Sequence, residues 1–387
     1  MIGNAPDGWK VKELKLISLF INGYAFKSSK FLDEGIPIIR IGNLVNNKVN
    51  LNDRICYELD TKLEPYEVLP NDILIAMSGA TTGKLAYNTL SDKLYLNQRI
   101  GLIRVNTNVL SKYLFNFLIG KKDYLLSLAG GSAQPNLSST DIKKLKIPIP
   151  PLKQQEKIVK VLDISSSLIE KQKELIESYD LFLKSKFIEM FGCPIKNPMG
   201  WEMTTFNKLA IIKTTSIKPD NITNELYIAL DSIEKETGKL LVSYKSENED
   251  IKSNKYIFTS DMILYGKLRP YLNKVLLPNF SGICSTDILP IEVIKDNSTK
   301  EYIAYYLRNN KIVELLSNSV SGANLPRVSP KILKYLKIAK TPIELQNKFA
   351  SIVERIEIIK DKENKKLNNL EDLHNSLMQK AFKGEIE

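Results

Sequence analysis

Three sets of polar side chains in this sequence have the types and spacing for nucleic-acid chemistry. Residues 265–274 read Tyr265-Gly266-Lys267-Leu268-Arg269-Pro270-Tyr271-Leu272-Asn273-Lys274, interleaving aromatics with three cations and an amide. Earlier in the chain, Thr81, Thr82, Lys84, Asn97, Gln98 and Arg99 cluster around expected strand ends. Ser132, Gln134 and Asn136 lie in a polar loop, and Asn324 and Arg327 occupy the matching loop of the second half. Arg and Lys donate to guanine O6 and N7, Asn and Gln pair with adenine, and every cation also gains from phosphate attraction. Taken singly, each is equally a solvated loop residue. Together they form the expected DNA-contacting set.

Motifs for catalysis are sparse. Ser78-Gly79-Ala80-Thr81-Thr82-Gly83-Lys84-Leu85 imitates a phosphate loop, but it has three residues between its glycines and Leu85 where a Mg²⁺-binding hydroxyl is required. Pro6-Asp7 with Glu13-Leu14-Lys15 imitates a nuclease metal site at very short spacing. His374 is the single histidine, so no pair of histidines can serve a base or a metal. It falls on a helical seam, which favours packing. No Gly-x-Gly turn follows an expected strand to hold S-adenosylmethionine, and no base-methylation motif is present. The expectation is a chain without a catalytic, cofactor or metal site of its own.

Charge and cysteines narrow the class. The 387 residues carry a net charge of +11, unevenly placed. Residues 1–151 hold 19 Lys or Arg against 13 Asp or Glu, and residues 193–340 hold 21 against 15. The segments 152–192 and 341–387 are close to neutral. Two basic segments facing a polyanion, with neutral stretches facing protein, fit this pattern. Cys56, Cys193 and Cys284 are far apart in sequence, as expected of free thiols in a reducing cytosol. No apolar run approaches the ~18 residues of a membrane span, so a soluble, cytoplasmic protein is expected.

The elements that must position these loops are legible in the hydrophobic period. From Pro151 to Phe191 there is no Gly and no further Pro, and Ile158, Leu162, Ser165, Ile169, Gln172, Ile176, Tyr179, Leu183, Lys186 and Met190 alternate four- and three-residue steps. Val161, Leu168, Leu175 and Phe182 widen that stripe. This is a heptad seam on a helix of roughly 50–60 Å, which needs a partner helix. The partner is in the same chain, 191 positions later: Pro151, Gln155, Leu162 and Phe191 become Pro342, Gln346, Val353 and Phe382. There the seam reads Phe349, Val353, Ile356, Lys360, Glu363, Leu367, Leu370, His374, Leu377 and Ala381.

The repeat extends beyond the helices. Pro135, Ser138 and Ile142 reappear as Pro326, Ser329 and Leu333, Tyr66 and Lys84 as Tyr256 and Lys274, and Trp9 as Trp201. Strands are expected at 36–41, 72–77, 99–105 and 146–149, with helices at 112–118, 123–128 and 139–145. The second half should follow with strands at 226–230, 261–265 and 288–294 and helices at 301–309 and 311–316. Residues 234–255 read as a polar insertion without a counterpart of equal length.

In this context the chain resembles a specificity subunit of a Type I DNA restriction–modification enzyme. The markers are Gly131-Ser132-Ala133-Gln134-Pro135-Asn136-Leu137-Ser138 and Ile147-Pro148-Ile149-Pro150-Pro151-Leu152-Lys153-Gln154-Gln155-Glu156-Lys157-Ile158-Val159. In the second half they are Thr341-Pro342-Ile343-Glu344-Leu345-Gln346 and Ser376-Leu377-Met378-Gln379-Lys380-Ala381-Phe382-Lys383-Gly384-Glu385. The second copy departs at Leu325, Arg327 and Val328, which replace Gln134, Asn136 and Leu137.

The resemblance implies an α+β fold. Two similar target-recognition domains (1–150 and 193–340), related by a pseudo-twofold axis, would be joined by two long antiparallel coiled-coil helices (151–192 and 341–387). It implies a non-catalytic reader of a bipartite target in double-stranded DNA, with two methylation subunits docked along the helices. Restriction (motor–nuclease) subunits would join for cleavage, and S-adenosylmethionine and ATP with Mg would belong to those partners. The helices would then act as a ruler between half-sites. The residues alone leave two other classes open: a self-contained DNA nuclease or methyltransferase with an unrecognised site, and a coiled-coil protein adaptor.

Overall fold

The computed structural model describes residues 6, 8–129, 135–245, 251–320, 322 and 324–386. The chain folds as two compact units. The first takes Met1–Lys171 with Leu367–Glu387, and the second takes Gln172–Lys366. Each unit therefore contains part of either long helix.

The long helices run over Leu152–Phe191 and Ile343–Phe382, forty residues each, or about 60 Å at 1.5 Å per residue. Pro151 and Pro342 precede them. Gly192 and Gly384 end them at φ of +81° and +77°, the left-handed conformation that favours glycine just past a helix. Every residue of both heptad seams is buried or half-buried. Leu168, Leu175 and Phe182, expected to widen the stripe, are instead 47%, 40% and 47% exposed. A two-helix seam needs only its narrow face, so these positions are left over.

Within the first unit, Ile158 and Leu162 of the first helix share a core with Met378 and Ala381 of the second. The Ser165 hydroxyl lies 2.8 Å from His374 Nδ1. Within the second unit, Leu183, Phe187 and Phe191 share a core with Phe349 and Val353. Gln172 donates to the Glu363 carboxylate at 2.8 Å, and the Lys360 ammonium meets Asp180 at 2.7 Å. In both units the helix portions run antiparallel, because rising numbers on one face falling numbers on the other.

The sheets of the two units follow one plan. In the first, Lys10–Glu13 pairs with Lys146–Ile149, and in the second Met203–Thr205 pairs with Lys337–Ala339. The central order Ser18–Asn22, Ile100–Val105, Ile73–Ala76, Leu85–Tyr87 corresponds to Ala210–Ile212, Ile288–Val293, Ile263–Gly266, Val275–Leu276. Another sheet orders Cys56–Tyr57, Ile36–Ile39, Leu94–Leu96, Glu67–Val68, matched by Tyr244–Lys245, Leu226–Ile228, Gly282–Cys284, Lys255–Phe258. The expected insertion at 234–255 thus contains an element with a counterpart: Tyr244–Lys245 flanks Leu226–Ile228 as Cys56–Tyr57 flanks Ile36–Ile39. Backbone pairing preserved what side-chain composition obscured. The expected strands and helices are present with ends shifted by one to a few residues.

A buried amide fastens each long helix to its unit. Gln155 accepts from the Leu110 N–H at 2.8 Å and donates to the Pro150 carbonyl at 2.9 Å. Gln346 accepts from the Thr299 N–H at 3.0 Å and donates to the Thr341 carbonyl at 3.0 Å. Leu110 and Thr299 stand at the N-termini of the helices Ser111–Ile119 and Lys300–Arg308, where backbone donors lack partners. Buried tyrosines repeat as well: Tyr113 donates to the Pro148 carbonyl at 2.6 Å and Tyr302 to the Ala339 carbonyl at 2.7 Å.

Candidate nucleic-acid interface

In each unit three loops meet where the strand Ile73–Ala76, or Ile263–Gly266, ends. In the first unit the Met77 N–H donates to the Arg99 carbonyl at 2.9 Å, and the Met77 carbonyl accepts from the Leu137 N–H at 2.7 Å. In the second the Lys267 N–H donates to the Asp287 carbonyl at 2.9 Å, and the Lys267 carbonyl accepts from the Val328 N–H at 2.9 Å. Bridges Ser78↔Asn136 and Leu268↔Arg327 complete the closure. The turn before the next strand also repeats: Ile100 donates to the Asn97 carbonyl and Ile288 to the Ser285 carbonyl, both at 2.9 Å.

Gly79 and Gly83 adopt φ of +91° and +79°, and the corresponding Arg269 and Asn273 adopt +52° and +50°. The glycines of the false phosphate loop are there for this backbone shape. Arginine and asparagine take it in the second unit at some cost in strain. The loops are then fastened by different donors to the same acceptor. Thr82 directs its hydroxyl to the Gly79 and Pro135 carbonyls at 2.7 and 2.8 Å, while Arg269 directs its N–H to the Pro326 carbonyl at 2.8 Å.

Four of the expected contact residues are consumed by this framework. Thr82 is 5% exposed, its hydroxyl held by the two carbonyls. Tyr265 is 4% exposed, a core side chain whose phenol burial pushes above its ordinary range. Asn273 is 2% exposed and donates to the Glu236 carboxylate at 3.2 Å and the Arg308 carbonyl at 3.0 Å. The Lys274 ammonium donates to the Leu230 carbonyl at 2.8 Å, and burial lowers its pKa against the opposing pull of Asp231. Composition placed these four at the surface, but alternation along strand and loop turned them inward.

The rest face outward. Thr81, Gln98, Arg99 and Asn136 are exposed in the first unit, with Asn97 and Lys84 half-buried. Arg269, Tyr271, Asn324 and Arg327 are exposed in the second, with Lys267 half-buried. Ser132 and Gln134 lie outside the described residues. Among the described residues no cluster of His, Cys, Asp and Glu is placed to hold a metal ion.

Two groups escaped the sequence reading. The turn Ser285-Thr286-Asp287 occupies the place of Asn97-Gln98-Arg99, and Asp287 accepts from Arg327 Nε at 3.1 Å. This turn lies 188 positions after its counterpart rather than the 190–192 of the rest of the repeat, so the offset did not reveal it. Tyr24 is 37% exposed and bridges Asn97, with Phe26 and Tyr66 ring centroids at 5.0 and 5.1 Å. No sequence signal marked it.

Residues 6–178 match the family described as Type I restriction modification DNA specificity domain. The EcoDI specificity subunit of Escherichia coli is 25% identical over 424 aligned positions, covering 99% of this chain and 90% of that protein. The MjaIX specificity subunit of Methanocaldococcus jannaschii is 27% identical, covering 100% and 95%. Over nearly its whole length this chain is similar to Type I specificity subunits.

Solved specificity subunits share the fold. The Type I S subunit from M. genitalium superposes with a TM-score of 0.53 at 17% identity, over 98% of this chain and 97% of that one. A chain from a structure addressing complex assembly and conformational transition of the type I R-M system gives 0.54 at 15% identity, over 99% and 100%. No described helix is long and apolar enough to cross a membrane.

Proposed function

We propose that this chain is a specificity subunit that reads a bipartite sequence in double-stranded DNA, one half-site per unit, and directs its partners to it. The observation carrying this is one hydrogen-bonded loop frame built twice and furnished with different side chains. The frames place Arg99, Gln98 and Asn136 in one unit against Asp287, Arg327 and Lys267 in the other. One frame with unlike donors and acceptors is what reading two unlike half-sites requires. Arg269 and Tyr271 add phosphate attraction and an exposed aromatic to the second set.

The partners in this reading are two methylation subunits docked along the long helices, with restriction subunits joining for cleavage. Leu168, Leu175, Leu181 and Phe182, exposed along the first helix, and Ile358 and Leu373, exposed along the second, suit such docking. S-adenosylmethionine and ATP with Mg bind those partners, and the complex works in the cytoplasm.

Sequencing modified bases in DNA from cells expressing the chain with its methylation subunits tests the proposal. A motif of two short unequal parts with unread positions between them is expected, and a single contiguous motif would refute it. Both long helices pass from one unit into the other. Removing one heptad from each should therefore change the number of unread positions while leaving both half-sites intact.

A further inference from the structure

We propose that Arg327, oriented by Asp287, is the side chain with which the second unit reads a guanine. The proposal rests on the DNA-reading function above and names a specificity determinant within it. Arg327 is fixed at its backbone by the bridge to Leu268 and by bonds on either side: Arg269 N–H to Pro326 carbonyl at 2.8 Å, and Val328 N–H to Lys267 carbonyl at 2.9 Å. Asp287 is fixed from the opposite side. Its N–H donates to Ser285 Oγ at 3.3 Å and its carbonyl accepts from the Lys267 N–H at 2.9 Å. Two anchored residues thus bring their side chains together, Arg327 Nε to Asp287 Oδ1 at 3.1 Å.

The way the arginine is held decides its use. Asp287 occupies Nε, leaving the two terminal nitrogens of the guanidinium uncommitted among the described residues. Those nitrogens form the fork that matches O6 and N7 of guanine. The pair is 44% and 29% exposed, so its contribution to stability is small. Its effect is on orientation: an arginine already aimed loses less freedom when it binds.

The first unit sets the contrast. Its equivalents of Asp287 and Arg327 are Arg99 and Asn136, so the cation stands on the other side of the same bridge. Among the described residues Arg99 has no carboxylate partner. An oriented arginine at this bridge is therefore a property of the second unit, and it assigns the guanine to that unit's half-site.

The test is selection of binding sites from random duplex DNA by the chain assembled with its methylation subunits, followed by sequencing. Arg327→Ala should lower the preference for one guanine, in one half-site, by about 5- to 150-fold. Arg327→Lys should keep overall affinity within a few-fold yet weaken the same preference, because an ammonium reaches O6 and N7 without the planar fork. Asp287→Asn should weaken preference at that position only, and the double variant should be no worse than Arg327→Ala. An unchanged motif with Arg327→Ala would reduce Arg327 to at most a phosphate contact, and an unchanged motif with Asp287→Asn would remove its orienting role. Either result overturns the proposal while a bipartite wild-type motif leaves the function standing. A wild-type complex that selects no motif would overturn both.

Discussion

Residues 77–84 of the first unit and 267–274 of the second are tied into their units by the same backbone hydrogen bonds, yet they share almost no side chains. The Ala76 N–H donates to the Lys84 carbonyl in one and the Gly266 N–H to the Lys274 carbonyl in the other, both at 2.8 Å, and in both a left-handed residue opens and closes the turn. Between these points the chemistry diverges. Gly79 becomes Arg269, Met77 becomes Lys267, Arg99 becomes Asp287 and Asn136 becomes Arg327. A scaffold that satisfies its backbone donors internally leaves the outward side chains free to vary. That separation between what holds the loop and what the loop displays is what a duplicated reader of two sequences needs.

The comparison can be broken most forcefully at the shared frame. Gln155→Ala and Gln346→Ala each leave a partly buried backbone donor unpaired, at Leu110 and at Thr299 respectively. Each should destabilise its own unit by about 1–3 kcal/mol, seen as faster hydrogen exchange in that unit's strands alone. Equal losses would sharpen the equivalence, and loss in one unit only would break it.

Arg269 offers a smaller, opposite-signed test, because the first unit has glycine at this position. Arg269→Gly removes left-handed strain and should leave stability unchanged or raise it by up to about 1 kcal/mol. It should nevertheless weaken DNA binding and flatten the salt dependence by about one unit of slope. A loss of stability with affinity unchanged would mean that the arginine serves the fold.

The smallest expected effect is at His374, beside Ser165 on the seam. Burial holds the imidazole pKa below its ordinary 6.5. The unfolded chain therefore takes up the proton first as pH falls, and this contribution, complete above about 6.5, is lost as pH descends through the folded pKa. His374→Gln should flatten the acid limb of the melting-temperature profile. An unchanged limb would exclude His374 as its source.

Much of this is legible in the sequence alone. The heptad seams, the repeat and the order of strands follow from apolar spacing and from Pro and Gly punctuation, which act locally and leave a periodic trace. The exposed members of the candidate site, Arg99, Asn136, Arg269 and Arg327, were visible as cations and amides in polar loops. What could not be read was which loop residues turn inward. Thr82, Asn273 and Lys274 look as polar as their neighbours, but their partners are the Pro135 carbonyl, the Arg308 carbonyl and the Leu230 carbonyl, all distant in sequence. Asp287 was missed for the converse reason: a lone carboxylate in a basic segment gains its meaning only from Arg327, forty positions away.

The central claim is that each unit reads its own half-site through equivalent loops, and the most direct measurement pairs one substitution from each. Motifs selected by the assembled complex carrying Arg99→Ala should relax in one half-site, and those selected with Arg327→Ala should relax in the other, with the unread positions between them unchanged. If both substitutions altered the same half-site, or neither altered any base preference, the account of two equivalent reading loops would be contradicted.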